Sequence, residues 1–123
     1  MDSFQHVNNI VYFRYFESVR MAYFERIGVR ELIEQTGVGP ILAETHCQYK
    51  FPLKYPDTIS VGARVTAIES DRFHMEYCIV SQTHQRVAAS GEAWMVSYNY
   101  REQKKAILPE VLRARMQALE CRT

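Results

Sequence analysis

The sequence predicts an α+β fold in which an antiparallel sheet curls around one long, largely buried helix. Three observations predict it. Residues Asn9 to Ile27 are apolar around most of a helical circumference, which demands cover on most sides. From Ile41 onward apolar and polar residues alternate, the period of half-buried strands. Helical and extended segments are also segregated along the chain, which separates α+β from alternating α/β architectures.

The elements follow in order. In Asn9–Ile27 the polar residues Arg14, Glu17, Ser18 and Glu25 share one narrow stripe, with Arg20 and Arg26 nearby. Asn8 or Asn9 is placed to cap this helix and Gly28 to stop it. A shorter helical piece runs from about Arg30 to Thr36, after which Gly37 and Gly39-Pro40 break the chain. A first strand then sets Ile41, Ala43, Thr45, Cys47, Tyr49 and Phe51 on one face; Pro52 ends it and Tyr55-Pro56-Asp57 turns. The second strand sets Ile59, Val61, Ala63, Val65 and Ala67 on one face, and Glu69 to Arg72 reverses the chain. Phe73, Met75, Tyr77 and Ile79 line the third. After a turn at Ser81–Arg86, the fourth runs from Val87 to Tyr98, interrupted by Gly91. Pro109, at a first helical position, opens a short amphipathic helix with Leu112, Met116 and Leu119 inward. Short connections place the four strands as antiparallel neighbours in a meander.

Composition narrows the function classes. A chain of 123 residues suits one domain, 1–123, with one core. A formal net charge of +1 gives no global field for nucleic acid or an anionic membrane. No apolar run reaches the roughly 18 residues of a membrane span, and no basic-then-apolar leader marks export. Cys47, Cys78 and Cys121 are odd in number and lack metal-ligand spacing, so they read as reduced thiols of a cytoplasmic protein. His46, His74 and His84 fall apart from one another and suggest no metal cluster.

The chemistry concentrates in the first dozen residues. Asp2, His6, Asn8 and Asn9 crowd the approach to the long helix. A helix start presents backbone N–H groups without intrahelical partners and a partial positive charge. An acid or base just upstream therefore lies beside a ready-made oxyanion site, an arrangement suited to attack on a carbonyl. Gly-x-Ser-x-Gly, dinucleotide and phosphate-loop signatures are absent from the sequence, which disfavours a serine-hydrolase mechanism.

The segment Asp2-x-x-x-His6-Val7-Asn8-Asn9-x-x-Tyr12-x-x-Tyr15-x-Glu17 resembles the opening of hot-dog-fold thioesterases of the 4-hydroxybenzoyl-CoA thioesterase type. Tyr49-x-x-Pro52-Leu53-x-Tyr55-x-Asp57-x-Ile59-x-Val61 and Ala89-x-Gly91-x-Ala93-x-x-Val96 resemble later strands of that family. The resemblance implies a hot-dog fold, homodimers or homotetramers with active sites at the dimer interface, and an acyl thioester of coenzyme A or acyl carrier protein as substrate. It implies neither metal nor organic cofactor. It also implies Asp2 as the catalytic carboxylate and the Asn9 backbone N–H as the group that polarises the thioester carbonyl. His6 joins them as a catalytic candidate. Val7, Asn8, Tyr12 and Glu17 are the substrate-binding candidates. Plant acyl-carrier-protein thioesterases share the His-Val-Asn-Asn sequence and place a catalytic asparagine two residues after the aspartate; here that position is Phe4. Relatives usually begin with a strand that leads into the aspartate, so a first strand is expected to be missing or truncated here.

Each residue also has a plainer reading. Asp2 is either general base, nucleophile, or a leader acid favoured by the helix dipole. An ordinary aspartate, with a pKa near ~3.9, is a weak base at neutral pH; burial under an acyl chain raises it. His6 orients the thioester, donates to the leaving thiolate, or holds the loop. Glu17 lies about 12 Å along the helix from Asn9, too far to share a carbonyl with it, and pairs with Arg14 or Arg20 or faces a site across an interface. Tyr12 and Tyr15 pack on the sheet or line an acyl pocket. Arg101, Lys104 and Lys105 form a solvated tail or meet coenzyme A phosphates. The function expected is hydrolysis of an acyl-CoA to an acid and a free thiol. The alternatives are an acyl-carrier-protein thioesterase and a hot-dog protein that binds a thioester without cleaving it.

Overall fold

The computed structural model describes residues 9–121. Helix α1 spans Asn9–Arg26, α2 Val29–Thr36 and α3 Glu110–Glu120; the strands are β1 Val38–Tyr49, β2 Ile59–Ile68, β3 Arg72–Ser81, β4 Arg86–Asn99 and the two-residue β5 Lys104–Lys105. The sheet is antiparallel, in the order β1-β4-β3-β2, with β5 on β4. The α+β class and the long first helix are as predicted. Gly28 stops α1 in the left-handed region, at φ 73°, where a side chain would be strained.

The meander is corrected. Strands β2, β3 and β4 are successive neighbours, but β1 pairs with β4 rather than with β2. The chain between Tyr49 and Ile59 crosses from one edge of the sheet to the other, passing the start of α1. Leu53, 1% exposed, anchors this crossing, and its N–H donates to the Tyr12 hydroxyl at 3.3 Å. Gly39 and Pro40 are strand residues and not breakers. Pro40 sits on an edge strand, where a missing N–H disrupts no ladder on the open side.

Two bulges also revise which side chains share a face. The β1–β4 register shifts between Leu42 and Glu44, and the β2–β3 register between Val65 and Ala67. One extra residue reverses the alternation beyond it. Thr45, Cys47 and Tyr49 therefore face the core side, whereas Ile41 lies opposite Val96 on the outer side. Ile68, opposite buried Phe73, takes the inward place expected for Ala67, which lies opposite His74.

Helix α1 lies on one face of the sheet. Tyr12, Phe16, Tyr23, Phe24 and Ile27 are buried against Phe73, Met75, Tyr77 and Ile79 of β3 and Ala89, Ala93 and Met95 of β4. The Phe16 ring stacks on Tyr77, centroids 4.9 Å apart at 15°, and fills the space over Gly91. Its opposite stripe is open: Ile10, Phe13 (38%) and Met21 (55%) are exposed, so this chain covers the helix on fewer sides than its sequence predicts. At the far end α3 closes the β2 margin. Glu120 accepts the Tyr23 hydroxyl at 2.5 Å and the Val65 N–H at 2.8 Å; burial and this carboxylate push the Tyr23 ionisation far up, so its proton stays in the bond.

Asp57 ties the crossing segment to the β3–β4 turn. Its carboxylate accepts the Ser81 hydroxyl at 2.5 Å and the Thr83 N–H at 3.2 Å. These bonds, Ser81 first, hold its pKa below the usual carboxylate value.

Two outcomes follow. In Gly91→Ala a Cβ would collide with Phe16 Cε2 and lie 3.0 Å from the His46 carbonyl oxygen, and denaturant unfolding should show a loss of about 1–3 kcal/mol; adding Phe16→Leu should restore part of it. Asp57→Asn should lower the urea midpoint at pH 7. A carboxylate with a lowered folded pKa stabilises above its unfolded value, near ~3.9, and that stability disappears as pH falls through the folded value. The gap between variant and parent should therefore narrow from about pH 5 downward; a constant gap from pH 7 to pH 3 would refute the role.

Candidate active site

The start of α1, the crossing segment and the first residues of β2 enclose a cleft of about 170 Å³, lined by Val11, Tyr15, Leu53, Lys54, Tyr55, Asp57 and Ile59. Its position follows from the packing above. Tyr12 is 3% exposed, meets Tyr49 edge-on at 4.9 Å and holds Leu53 through its hydroxyl. Because Tyr12 points into the core, its neighbours Val11 and Tyr15 border the cleft. Burial raises the Tyr12 pKa, and its hydroxyl serves as a hydrogen-bonding anchor for the crossing segment.

Among the sequence-predicted residues, Asp2, His6, Val7 and Asn8 lie outside the described residues. Asn9 opens α1 and is exposed, at the end of the helix where the backbone N–H groups and the positive dipole end converge. Glu17 is exposed, on the same outward stripe as Phe13, Arg14 and Met21, and so faces away from its own chain's cleft. The ion pair expected for it is absent among the described residues: Arg20 donates to the Tyr77 hydroxyl at 3.0 Å and lies over that ring at 5.9 Å. Arg101, Lys104 and Lys105 sit at the opposite end of the sheet from the α1 start, since β5 pairs with Tyr98 and Asn99. There Arg101 donates to the Glu34 carbonyl at 2.7 Å and Lys104 pairs with Glu102 at 3.1 Å.

Two described groups in this region, Cys47 and Asp57, are poorly suited to act as nucleophile or base. Burial pushes the Cys47 thiol up, away from the reactive thiolate. Asp57 is committed to Ser81 and Thr83 and held more acidic than usual. Among the described residues no group of three or more His, Cys, Asp or Glu is arranged to hold a metal ion. What the cleft offers is a helix mouth beside a small, mixed apolar and cationic pocket. Sequence reasoning missed Lys54, Val11 and Ile59 as lining residues. The signal was the Tyr49–Val61 motif, in which Pro52, Leu53 and Asp57 lay down the crossing that brings Lys54 to the helix start.

With that geometry in view, the likenesses to known proteins are consistent. Residues 1–116 match the thioesterase-like superfamily. A thioesterase from Thermus thermophilus, solved in complex with coenzyme A and Zn, is 31% identical; the match covers 100% of this chain and 87% of that one, with a TM-score of 0.84. The chloroplastic acyl-acyl carrier protein thioesterase ATL3 of Arabidopsis thaliana is 27% identical over 104 residues, 82% of this chain and 55% of that protein. The uncharacterized protein YsmA of Bacillus subtilis is 28% identical over 76 residues, 62% of this chain and 50% of that protein. The chain thus spans about half the length of the curated relatives it matches. No described helix is long and apolar enough to cross a membrane. The fold is that of the hot-dog thioesterases, and this chain belongs to the thioesterase-like superfamily.

Proposed function

We propose that the protein is an acyl-CoA thioesterase, a single cytoplasmic domain over residues 1–123 that hydrolyses an acyl thioester to a carboxylic acid and a free thiol. The observation that supports this reading best is the cleft at the α1 start, together with the family. The thioester carbonyl oxygen takes the Asn9 backbone N–H, where developing negative charge meets the helix dipole. Asp2 supplies the carboxylate, activating water or attacking the carbonyl carbon itself. With Asp2 as base, water bonds to the carbonyl carbon as Asp2 takes its proton, and the C–S bond breaks as His6 protonates the departing sulfur; with Asp2 as nucleophile, the C–S bond breaks in the same way and water then hydrolyses the acyl–Asp2 anhydride, releasing the acid and restoring the carboxylate. Val7 and Asn8 border the substrate, Tyr12 holds the crossing segment in place, and Val11 and Tyr15 meet the acyl group. The absence of a usable base among the described cleft residues favours Asp2 for this role.

The assembly belongs to the same proposal. Among the described residues the twelve-residue β1 has β4 on one side only, and a long unpaired edge is a template for a second chain. Pairing two copies along β1, with the exposed α1 stripe covered in turn, gives a homodimer or homotetramer. Glu17, turned outward, would then face a neighbouring copy.

Two measurements test this reading. Asp2→Asn should lower thiol release from acyl-CoA by about 10²–10⁴-fold, the scale of a lost acid–base group, while coenzyme A binding by calorimetry stays within about twofold; undiminished turnover would end the assignment. A parent protein that binds acyl-CoA and releases no thiol would make it the non-catalytic alternative. Light scattering should return a mass of at least two chains, and a strict monomer at micromolar concentration would remove the interface argument.

A further inference from the structure

The lining of the cleft at the α1 start sets limits on the acyl group that it suits. Val11 of α1, Leu53 of the crossing segment and Ile59 of β2 make an apolar wall. Lys54, Tyr15 and Tyr55 interrupt it with side chains that can donate a hydrogen bond. Tyr15 is half-buried, one helical turn on from Val11; Lys54 is exposed, and so is Tyr55, at 74%. In a small-molecule site a few polar groups in an apolar lining fix orientation and specificity.

Among the described residues these donors are uncommitted. The ion pairs there are His46–Glu44, Arg64–Glu76, Arg72–Asp71, His74–Glu92, Lys104–Glu102 and Arg113–Glu110, and none includes Lys54. The one carboxylate of the lining, Asp57, already accepts from Ser81 and Thr83. An ammonium has N–H donors and no acceptor, so what the cleft lacks is an acceptor with negative charge. Size adds a second limit. The cleft measures about 170 Å³; at about 30 Å³ for a water molecule it has room for roughly six non-hydrogen atoms. A long hydrocarbon tail exceeds that space, whereas a chain of three methylenes ending in a carboxylate matches it.

We infer that the acyl group taken by this cleft is short and ends in a carboxylate, held by the Lys54 ammonium with the Tyr15 hydroxyl donating beside it. This rests on the thioester reading above and narrows it to a substrate class: hydrolysis then yields a dicarboxylate and a free thiol. The thioester carbonyl lies at Asn9 and the methylenes lie against Val11, Leu53 and Ile59. A charge-assisted hydrogen bond is about twice as strong as a neutral one, which offsets the water that the carboxylate gives up on entry. Because Lys54 is exposed, the carboxylate also keeps part of its hydration.

Thioethers of coenzyme A, which have no carbonyl to hydrolyse, read binding alone. Two with the same chain of four methylenes are titrated into the full chain by calorimetry, one ending in a carboxylate and one in the isosteric isopropyl group. The parent should bind the carboxylate form at least about fivefold more tightly at low salt. Lys54→Met should abolish or invert that ratio, Lys54→Arg should keep most of it, and Tyr15→Phe should lower it by about twofold. Added salt should shrink the ratio, since the ammonium is exposed. Equal affinities in the parent, or a ratio unchanged in Lys54→Met, overturn the assignment. Turnover separates it from the wider reading. A parent that hydrolyses the isopropyl-ended acyl-CoA as fast as glutaryl-CoA remains a thioesterase and loses the carboxylate preference. One that shows the binding ratio and hydrolyses neither keeps the Lys54 seat and ends the hydrolase reading instead.

Discussion

The constraint on which the rest depends is the seating of Phe16 in the space left by Gly91. Strand β4 is the centre of the sheet's hydrogen bonding, with β1 on one side and β3 on the other. A side chain at position 91 would collide with the Phe16 ring. With glycine there, the helix approaches the strands closely enough for Phe16 to stack on Tyr77, and dense packing of that kind leaves little freedom to slide. The axial position of α1 is thereby fixed from its middle. Its first turn consequently falls beside the crossing segment, and its last beside Phe73, where Phe24 meets that ring edge-on at 6.2 Å.

A fixed helix turns an awkward connection into a binding feature. The chain must travel from β1, at one edge, to β2, at the other, and such a path over a sheet end leaves backbone groups to satisfy. Burial of Leu53 and its bond to Tyr12 settle one part of the path. Asp57, bridging Ser81 and Thr83, settles another. Between these anchors Lys54 and Tyr55 are left exposed beside the α1 start. The cleft is therefore a by-product of topology: the same residues that solve the crossing problem build its wall.

Much of this was legible in the sequence. The α1 limits and Gly28 stop follow from apolar patterning and turn chemistry that act over a few residues. The inward set Phe73, Met75, Tyr77 and Ile79 was equally readable, because β3 alternates without interruption between two neighbours. Strand order was not readable, since the connection from Tyr49 to Ile59 carries no sign of whether it turns back or crosses over. The bulges near Ala43 and Thr66 were hidden for a similar reason: an inserted residue is defined by its partner strand and not by its own identity. Of the site, the residue types at Asp2 to Asn9 pointed to the α1 approach, and all of them but Asn9 lie outside the described residues. Of the cleft lining, Lys54 and Ile59 were not legible, because the crossing is what brings them to Val11 and Tyr15.

The residues that hold the fold and those assigned to the chemistry are almost disjoint. Phe16, Gly91, Tyr12, Leu53, Tyr23 and Glu120 fix the helix, the crossing and the β2 margin, and each is engaged by packing or hydrogen bonds. Asp57 and Cys47 are shifted in directions that blunt them, one toward stronger acidity and the other toward the neutral thiol. A helix terminus needs no side chain to stabilise an oxyanion, so under the proposed reading the fold itself would supply the electrophilic half of the reaction. The remaining half is the part that the proposal assigns to Asp2. A scaffold divided in this way would hold a thioester whether or not that carboxylate acts, so under the proposed reading binding and turnover are separable quantities.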